Sequence, residues 1–140
     1  MSVLEGRMLS AVEAATDGRR QSVEEGIAIL WPHVVRYCRA RAADRAAHQV
    51  CLDVVRELPR IAEHRHVVRE VYRVLGRSLA EIEDVPQGRV AGPLGRLDPD
   101  SREVITLRVI DGLSVRDTAA VLGLPVGKVL CIQHEAMRTL

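Results

Sequence analysis

This chain of 140 residues has no Phe, one Trp and two Tyr. Any core must therefore be aliphatic, built from the Val, Leu, Ile and Ala that dominate its 47% apolar content. That is enough for one domain or two very small ones. Lysine is also nearly missing: Lys128 is the only one among 20 basic residues. Such a bias reflects a GC-rich coding composition and carries no function by itself. The net charge of +1 lacks the strongly basic balance of many nucleic-acid binders, so a DNA contact would have to come from a local patch.

Cysteine is scarce, odd in number and dispersed: Cys38, Cys51 and Cys131 all fall on apolar helical faces. This excludes a disulfide framework and predicts buried thiols. No apolar run approaches the ~18 residues of a membrane span. Glu5 and Arg7 interrupt the N-terminus where a signal peptide would need its apolar centre. A reduced, cytoplasmic protein with no membrane contact is expected. There is no internal repeat, no low-complexity tract and no Gly-rich phosphate loop. Ser, Cys and His form no nucleophile constellation, so neither an enzyme nor a cofactor is expected. Glu63, His64 and His66 are the one hint of a metal site. A spacing of i, i+2 on a helix turns the two imidazoles to different faces, which favours a solvated helix start and no metal.

What is present is helical periodicity from end to end. Leu4, Met8, Leu9 and Val12 predict a short amphipathic helix over 3–16. Ser22-Val-Glu-Glu25 has the form of a capping box, opening a helix with Ile27, Leu30, Trp31, Val34, Val35 and Cys38 inward and Pro32 set to kink or divide it. Ala47, Val50, Cys51, Val54, Val55 and Leu58 follow helical spacing and lead to Pro59, which predicts a stop. A third long stripe, Val68, Val71, Tyr72, Leu75, Leu79 and Ile82, lies on a helix expected over about 63–83. Each helix buries one stripe, so the helices must pack together.

The pattern breaks over 84–96, which holds two Pro and three Gly and reads as a linker able to reach at most ~35–40 Å. Helical spacing resumes at Asp98-Pro99, an N-cap followed by a tolerated proline, and that helix ends at Gly112. Ser114 then caps another helix. Ala119 is small where two helices would cross, and Gly123 supplies a turn that needs positive φ. Leu122, Leu124, Val129 and Ile132 form a wedge between the two helices. Together these constraints predict a helix-turn-helix. The expected fold is all-α: a helical bundle over 1–84, a linker over 85–95, and a helix-turn-helix unit over 96–140.

On these residues a family resemblance becomes visible. The segment PLGRLDPDSREVITLRVIDGLS, followed by AAVLG, resembles region 4 of extracytoplasmic-function (ECF) sigma factors of the sigma-70 family. WPHVVRYCRAR and VCLDVVRELPR resemble region 2 of the same family, nearest the sigma-D type of actinobacteria. The resemblance implies a two-unit initiation factor in which region 2 docks on RNA polymerase and melts the −10 element, while region 4 reads the −35 element. It implies polymerase contacts at Arg39, Arg41, Asp44, Gln49 and Asp53, and a melting helix whose one remaining aromatic is Tyr72. Few aromatics mean little stacking energy for strand opening, at ~1–3 kcal/mol per base. Tyr72 and Trp31 also fall on or beside apolar stripes, which fits core positions.

The same resemblance turns Val126, Gly127, Lys128, Leu130, Cys131, His134 and Arg138 of the last helix toward DNA, with Arg116 nearby. Positions 130 and 135, commonly basic in the family, are Leu130 and Glu135 here. Residues 96–140 carry six basic and six acidic side chains, so phosphate attraction is weak and base readout falls to His134 and apolar contacts. Two functions follow as expectations. One is a sigma-like regulator that binds polymerase and, weakly, promoter DNA. The other is a degenerate sigma scaffold that serves as a protein-interaction module, an adaptor or inhibitor of a sigma factor or of polymerase; the partners expected are polymerase core or another sigma or anti-sigma protein. The arginines at 36, 39, 41 and 45 suit either a polymerase-facing strip or a solvated face. Met137 and Leu140 end the chain with apolar surface, which allows packing on the bundle, on a partner or in a homodimer.

Overall fold

A computed structural model describes residues 2–17, 19–82, 90 and 92–140. Seven α-helices, with no strand among the described residues, form an all-α fold. The first four are α1 (Val3–Thr16), α2 (Arg20–Arg39), α3 (Ala47–Ile61) and α4 (Val67–Glu81). The second unit holds α5 (Pro99–Ile105), α6 (Val115–Leu122) and α7 (Val126–Thr139). Of the expected linker, residues 85–89 and 91 lie outside the described residues, as do 83 and 84 before it, and Pro93–Arg96 make a single 3₁₀ turn. No described helix is long and apolar enough to cross a membrane.

The aliphatic stripes do what their spacing predicts. Leu30, Val34 and Cys38 of α2, Val50, Cys51, Val54 and Leu58 of α3, and Val68, Val71, Tyr72 and Leu75 of α4 share one core with Leu4 and Met8 of α1. Burying each such side chain is worth ~1.5–3 kcal/mol, which outweighs local helix faults. That explains how Pro32 leaves α2 undivided, division being one of the two outcomes expected of it, and it corrects the stop expected at Pro59, since α3 runs on to Ile61. Each proline forfeits one backbone hydrogen bond, but Leu30, Val34, Leu58 and Ile61 are all fully buried around them.

Three further expectations are corrected. α2 starts at Arg20, ahead of the expected capping box, and its N-cap Arg19 makes no side-chain cap; the side chain of Ser22 lies outside the described residues. α4 starts at Val67, so Glu63, His64 and His66 sit in an exposed turn before it. Among the described residues no group of ligands could hold a metal. Trp31, expected inward, is 41% exposed. Two polar side chains enter this bundle: Ser78 of α4, which is hydrogen-bonded to Asp53, and His33, which is buried without a hydrogen-bond partner. Burial, aided by Arg36 and Arg7, lowers its pKa and keeps it neutral.

The second unit has less to bury. Leu97, Ile105 and Ala136 form one small cluster; Val104, Ala119 and Val129 form another, with Val115, Leu122, Leu124 and Ile132 packed around it. Side-chain caps fix its helix starts: Asp98 accepts from the Ser101 amide at 2.7 Å and Ser114 from the Asp117 amide at 3.0 Å. Between α5 and Gly112 the chain widens into a π-helical stretch, Thr106–Ile110, closed by the Asp111 amide on the Thr106 carbonyl at 2.9 Å. Leu107 and Leu113, at either end of this stretch, are buried in the core of the first four helices. The two units therefore pack directly on one another and share a hydrophobic core.

Candidate nucleic-acid and polymerase interface

The helix-turn-helix is built as its sequence requires. Gly123 takes φ 68°, the left-handed conformation, and the Leu124 amide folds back onto the Ala119 carbonyl at 2.9 Å. Val129 is fully buried and Ile132 half-buried against Ala119, which sets α7 across α6. The opposite face of α7 is open. Val126, Leu130, His134 and Arg138 follow one another at four-residue spacing along it, with Lys128 and Cys131 beside them, and all are exposed. Arg116 is exposed on α6. With Gly127, also exposed, all eight residues expected at or beside DNA are therefore on the surface. Cys131 corrects the expectation of three buried thiols: Cys38 and Cys51 are buried, Cys131 is not. Burial pushes Cys38 up to about 11 and raises Cys51 as well.

On this open face the positive groups are sparse and the apolar ones large. Leu130 is 48% exposed and Met137 51%. Arg108, although basic and in the same unit, is turned inward: it donates to Gln133 at 2.9 Å and to the Leu113 carbonyl at 2.7 Å, tying the π-helical stretch to α7.

The expected polymerase set is divided. Arg39 and Asp44 are exposed and face each other at 3.7 Å. Gln49 donates to Asp53 at 2.9 Å, and Asp53 also accepts from the largely buried Ser78 of α4 at 2.7 Å, so this pair is braced between α3 and α4. Arg41 is taken by the second unit. It is ion-paired to Glu103 of α5, and its guanidinium lies 3.9 Å from the centre of the Tyr37 ring, a cation–π contact.

Tyr72 takes the core position that its apolar stripe predicted. It is fully buried, edge-on to Tyr37 with ring centres 6.1 Å apart, so in this arrangement it offers no face to an unpaired base. The close approach that seats Tyr37 uses Gly76, where a Cβ would come within 3.2 Å of the Tyr37 hydroxyl.

Beside Tyr72 lies a residue that periodicity did not single out. Asp111 is buried at the end of the π-helical stretch. Neither of its oxygens nor the Tyr72 hydroxyl meets hydrogen-bond geometry with a described partner, although the two groups are close enough to act on each other's titration. Burial raises the Asp111 carboxyl to about 7, against the pull of Tyr72, Arg36 and Arg41. Two more contacts cross the same junction: Arg69 of α4 donates to Asp117 of α6 at 2.7 Å, and Arg73 to the Ala120 carbonyl at 3.4 Å. Asp111, Glu103, Asp117 and Arg69 were all missed as site residues. In sequence an Asp before Gly marks only a helix end, and which partner a charged side chain meets across two units has no periodic signal.

Comparison with known proteins agrees with this construction. Residues 94–129 match the family model for region 4 of sigma-70. The chain is 33% identical to ECF RNA polymerase sigma factor SigD of Mycobacterium tuberculosis over 178 aligned positions, covering 98% of the chain and 84% of the relative. That alignment is longer than the chain, so the relative holds internal residues with no counterpart here. Against ECF RNA polymerase sigma factor ShbA of Streptomyces griseus it is 25% identical, covering 92% of the chain and 91% of the relative. The solved structure of CnrH in complex with the cytosolic domain of CnrY superposes with a TM-score of 0.71 at 26% identity, covering 95% of this chain and 92% of that one. The aliphatic wedge of the helix-turn-helix, the helical bundle before it and these full-length likenesses lead to one conclusion: the chain belongs to the ECF sigma factors of the sigma-70 family, and is a sigma-factor-like transcription regulator.

Proposed function

We propose that this factor binds RNA polymerase core through its first four helices and reads promoter DNA only weakly through α7, with little melting power of its own. The observation that carries the reading is the outer face of α7. Val126, Leu130, Cys131 and His134 stand where bases would be met, with Lys128, Arg138 and Arg116 as the nearby cations and Glu135 opposing them. Counterion release scales with the phosphates neutralised, so three cations give a shallow salt dependence. Apart from Arg138 near the end of α7, the exposed face carries no Arg or Asn side chain that could read a base pair in bidentate fashion. Arg39, Asp44, Gln49 and Asp53 are the proposed polymerase contacts on the first unit.

Titration of the full chain against labelled −35-type duplexes over a salt series tests the DNA half. Weak binding with a slope of about −3 in log–log form is expected, from ~0.9 per phosphate contact. Tight, sequence-specific binding at physiological salt would overturn it. Run-off transcription with purified core tests the melting half. The expected result is little product from a duplex promoter and more from one with a pre-melted start region.

A second reading is favoured by one specific observation, the exposed apolar side chains Val126, Leu130 and Met137 on α7. Such a surface suits a protein as well as thymine methyls. Since CnrH is seen in complex with the cytosolic domain of CnrY, a protein partner of this factor, including an anti-sigma protein, is the alternative occupant. Co-purification with core or with such a protein distinguishes the two.

A further inference from the structure

No described residue covers the outer face of α7, whose side chains fall into three rows. At about 100° per residue, Gly127, Cys131, His134 and Arg138 run down the middle, opposite the buried Val129 and Ala136. One flank is apolar: Val126, Leu130 and Met137 are 39%, 48% and 51% exposed. The other flank carries Lys128 and Glu135, both exposed and neither in an ion pair with a described residue.

These rows complement a copy of themselves in one orientation. When two copies of a helix pack antiparallel about a two-fold axis, each flank meets the same flank of the other copy; packed parallel, each meets the opposite flank. Parallel packing would set the apolar flank against Lys128 and Glu135. Antiparallel packing sets apolar on apolar and charged on charged, and there opposite signs can be brought level. If position 128 faces 135, then 126 faces 137 and 123 faces 140. Val126 thus meets Met137, and the exposed Leu140 meets the turn at Gly123, each contact occurring twice. In the same register Cys131 of the middle row lies within about 1.5 Å, one residue rise along the axis, of the level of its own copy. The charged pairs and the apolar pairs therefore ask for a single register. We propose that the outer face of α7 is a docking surface for a second copy of this chain, the two helices pairing antiparallel with two Lys128–Glu135 ion pairs. One 14-residue helix on another covers less than the ~1,200 Å² at which stable interfaces begin, so the dimer is weak and depends on concentration. The residues it buries include those proposed to meet bases, so DNA and a second copy exclude each other. That exclusion rests on the DNA reading above; the pairing does not.

Sedimentation velocity of the full chain, in a concentration series reaching about 500 µM, tests the pairing. Wild type should pass from monomer to dimer, and a monomer throughout would overturn the proposal. Lys128→Glu and Glu135→Lys each set like charges together at both contacts and should weaken dimerisation about tenfold or more. An equimolar mixture of the two variants places opposite charges at every contact and should regain the dimer, with one chain of each kind. Both side chains are exposed, and circular dichroism verifies that the fold is kept. A single variant that dimerises like wild type, or a mixture no tighter than its components, would overturn the register and with it the proposal. Cys131 is exposed while Cys38 and Cys51 are buried. A short bis-maleimide should therefore join two wild-type chains and leave Cys131→Ser unjoined; a dimer it cannot join has its contact elsewhere and refutes the α7 pairing. The joined dimer and a monomer capped with N-ethylmaleimide are then titrated with duplex DNA. Binding by the monomer alone supports exclusion, and equal binding by both overturns it. Binding by neither sinks the DNA reading, with sedimentation still deciding the pairing.

Discussion

The two helical units solve the same packing problem with unequal means. The first has four helices, of which α2 runs to 20 residues, and puts more than a dozen aliphatic side chains into one continuous core. It can absorb two prolines inside helices, an unpartnered buried His33 and an exposed Trp31. The second has a seven-residue α5 and two small clusters, so its stability depends on local geometric devices: an N-cap at Asp98 and another at Ser114, positive-φ glycines at Gly112 and Gly123, and a small wedge around Val129. It also borrows from its neighbour, since Leu107 and Leu113 belong to the first unit's core. A large core tolerates local faults; a small one must get each local device right.

The largest expected effect breaks the comparison at the borrowed residue. Leu107 is fully buried between the units, so Leu107→Ala should cost ~2–5 kcal/mol, as much as Leu58→Ala deep in the first bundle. Denaturant unfolding followed by Trp31 fluorescence reports the first unit, and far-ultraviolet circular dichroism reports both. The two transitions should coincide in wild type and shift together in Leu107→Ala. A dichroism curve that splits while the Trp31 transition stays in place would show that the second unit folds on its own and only leans on the first.

Next in size is the turn. Gly123 sits at φ 68° with nothing near its missing Cβ, so the cost of Gly123→Ala is conformational, about 1–2 kcal/mol, and not steric. Gly123→Asn should recover part of it, because Asn enters the left-handed region more readily. Thermal melts of the three proteins in order Gly, Asn, Ala check the ranking; an equal loss for Asn and Ala would point to something other than φ.

Gly123 is also a fair measure of what could be read in advance. Where one local rule decides a feature, the sequence was explicit: the Ser114 and Asp98 caps, the positive φ of Gly112 and Gly123, the buried Val129 and the exposed Leu130 are all legible residue by residue. Where tertiary packing overrides a local rule, it was not. Pro59 should end a helix on its own terms, and only the burial of Leu58 and Ile61 on either side carries α3 past it. Arg19 in place of Ser22 at the start of α2 is the same lesson at a helix end. The junction was least legible of all. Arg41, Tyr72 and Asp111 lie in three separate segments, and an aliphatic stripe gives no sign that a Tyr on it will be covered by another unit or that an Asp in a turn will be buried under it.

The smallest effect on stability has the sharpest functional edge, and it concerns two adjacent residues of α7. Val129 is fully buried in the wedge while Leu130, its neighbour, is 48% exposed on the outer face. Val129→Ala should cost ~1–3 kcal/mol through the cavity it leaves in a small cluster. Leu130→Arg should leave stability within about 0.5 kcal/mol, since it breaks no contact that holds α7 on α6. What it should change is DNA. One added cation on a face that holds Lys128 and Arg138 gives one more phosphate contact, so affinity for duplex DNA rises at low salt and the salt slope steepens by about 0.9. If Leu130→Arg instead leaves DNA binding untouched and abolishes capture of a protein partner, the outer face of α7 is a protein-binding surface, and the helix-turn-helix is a scaffold that no longer meets the groove.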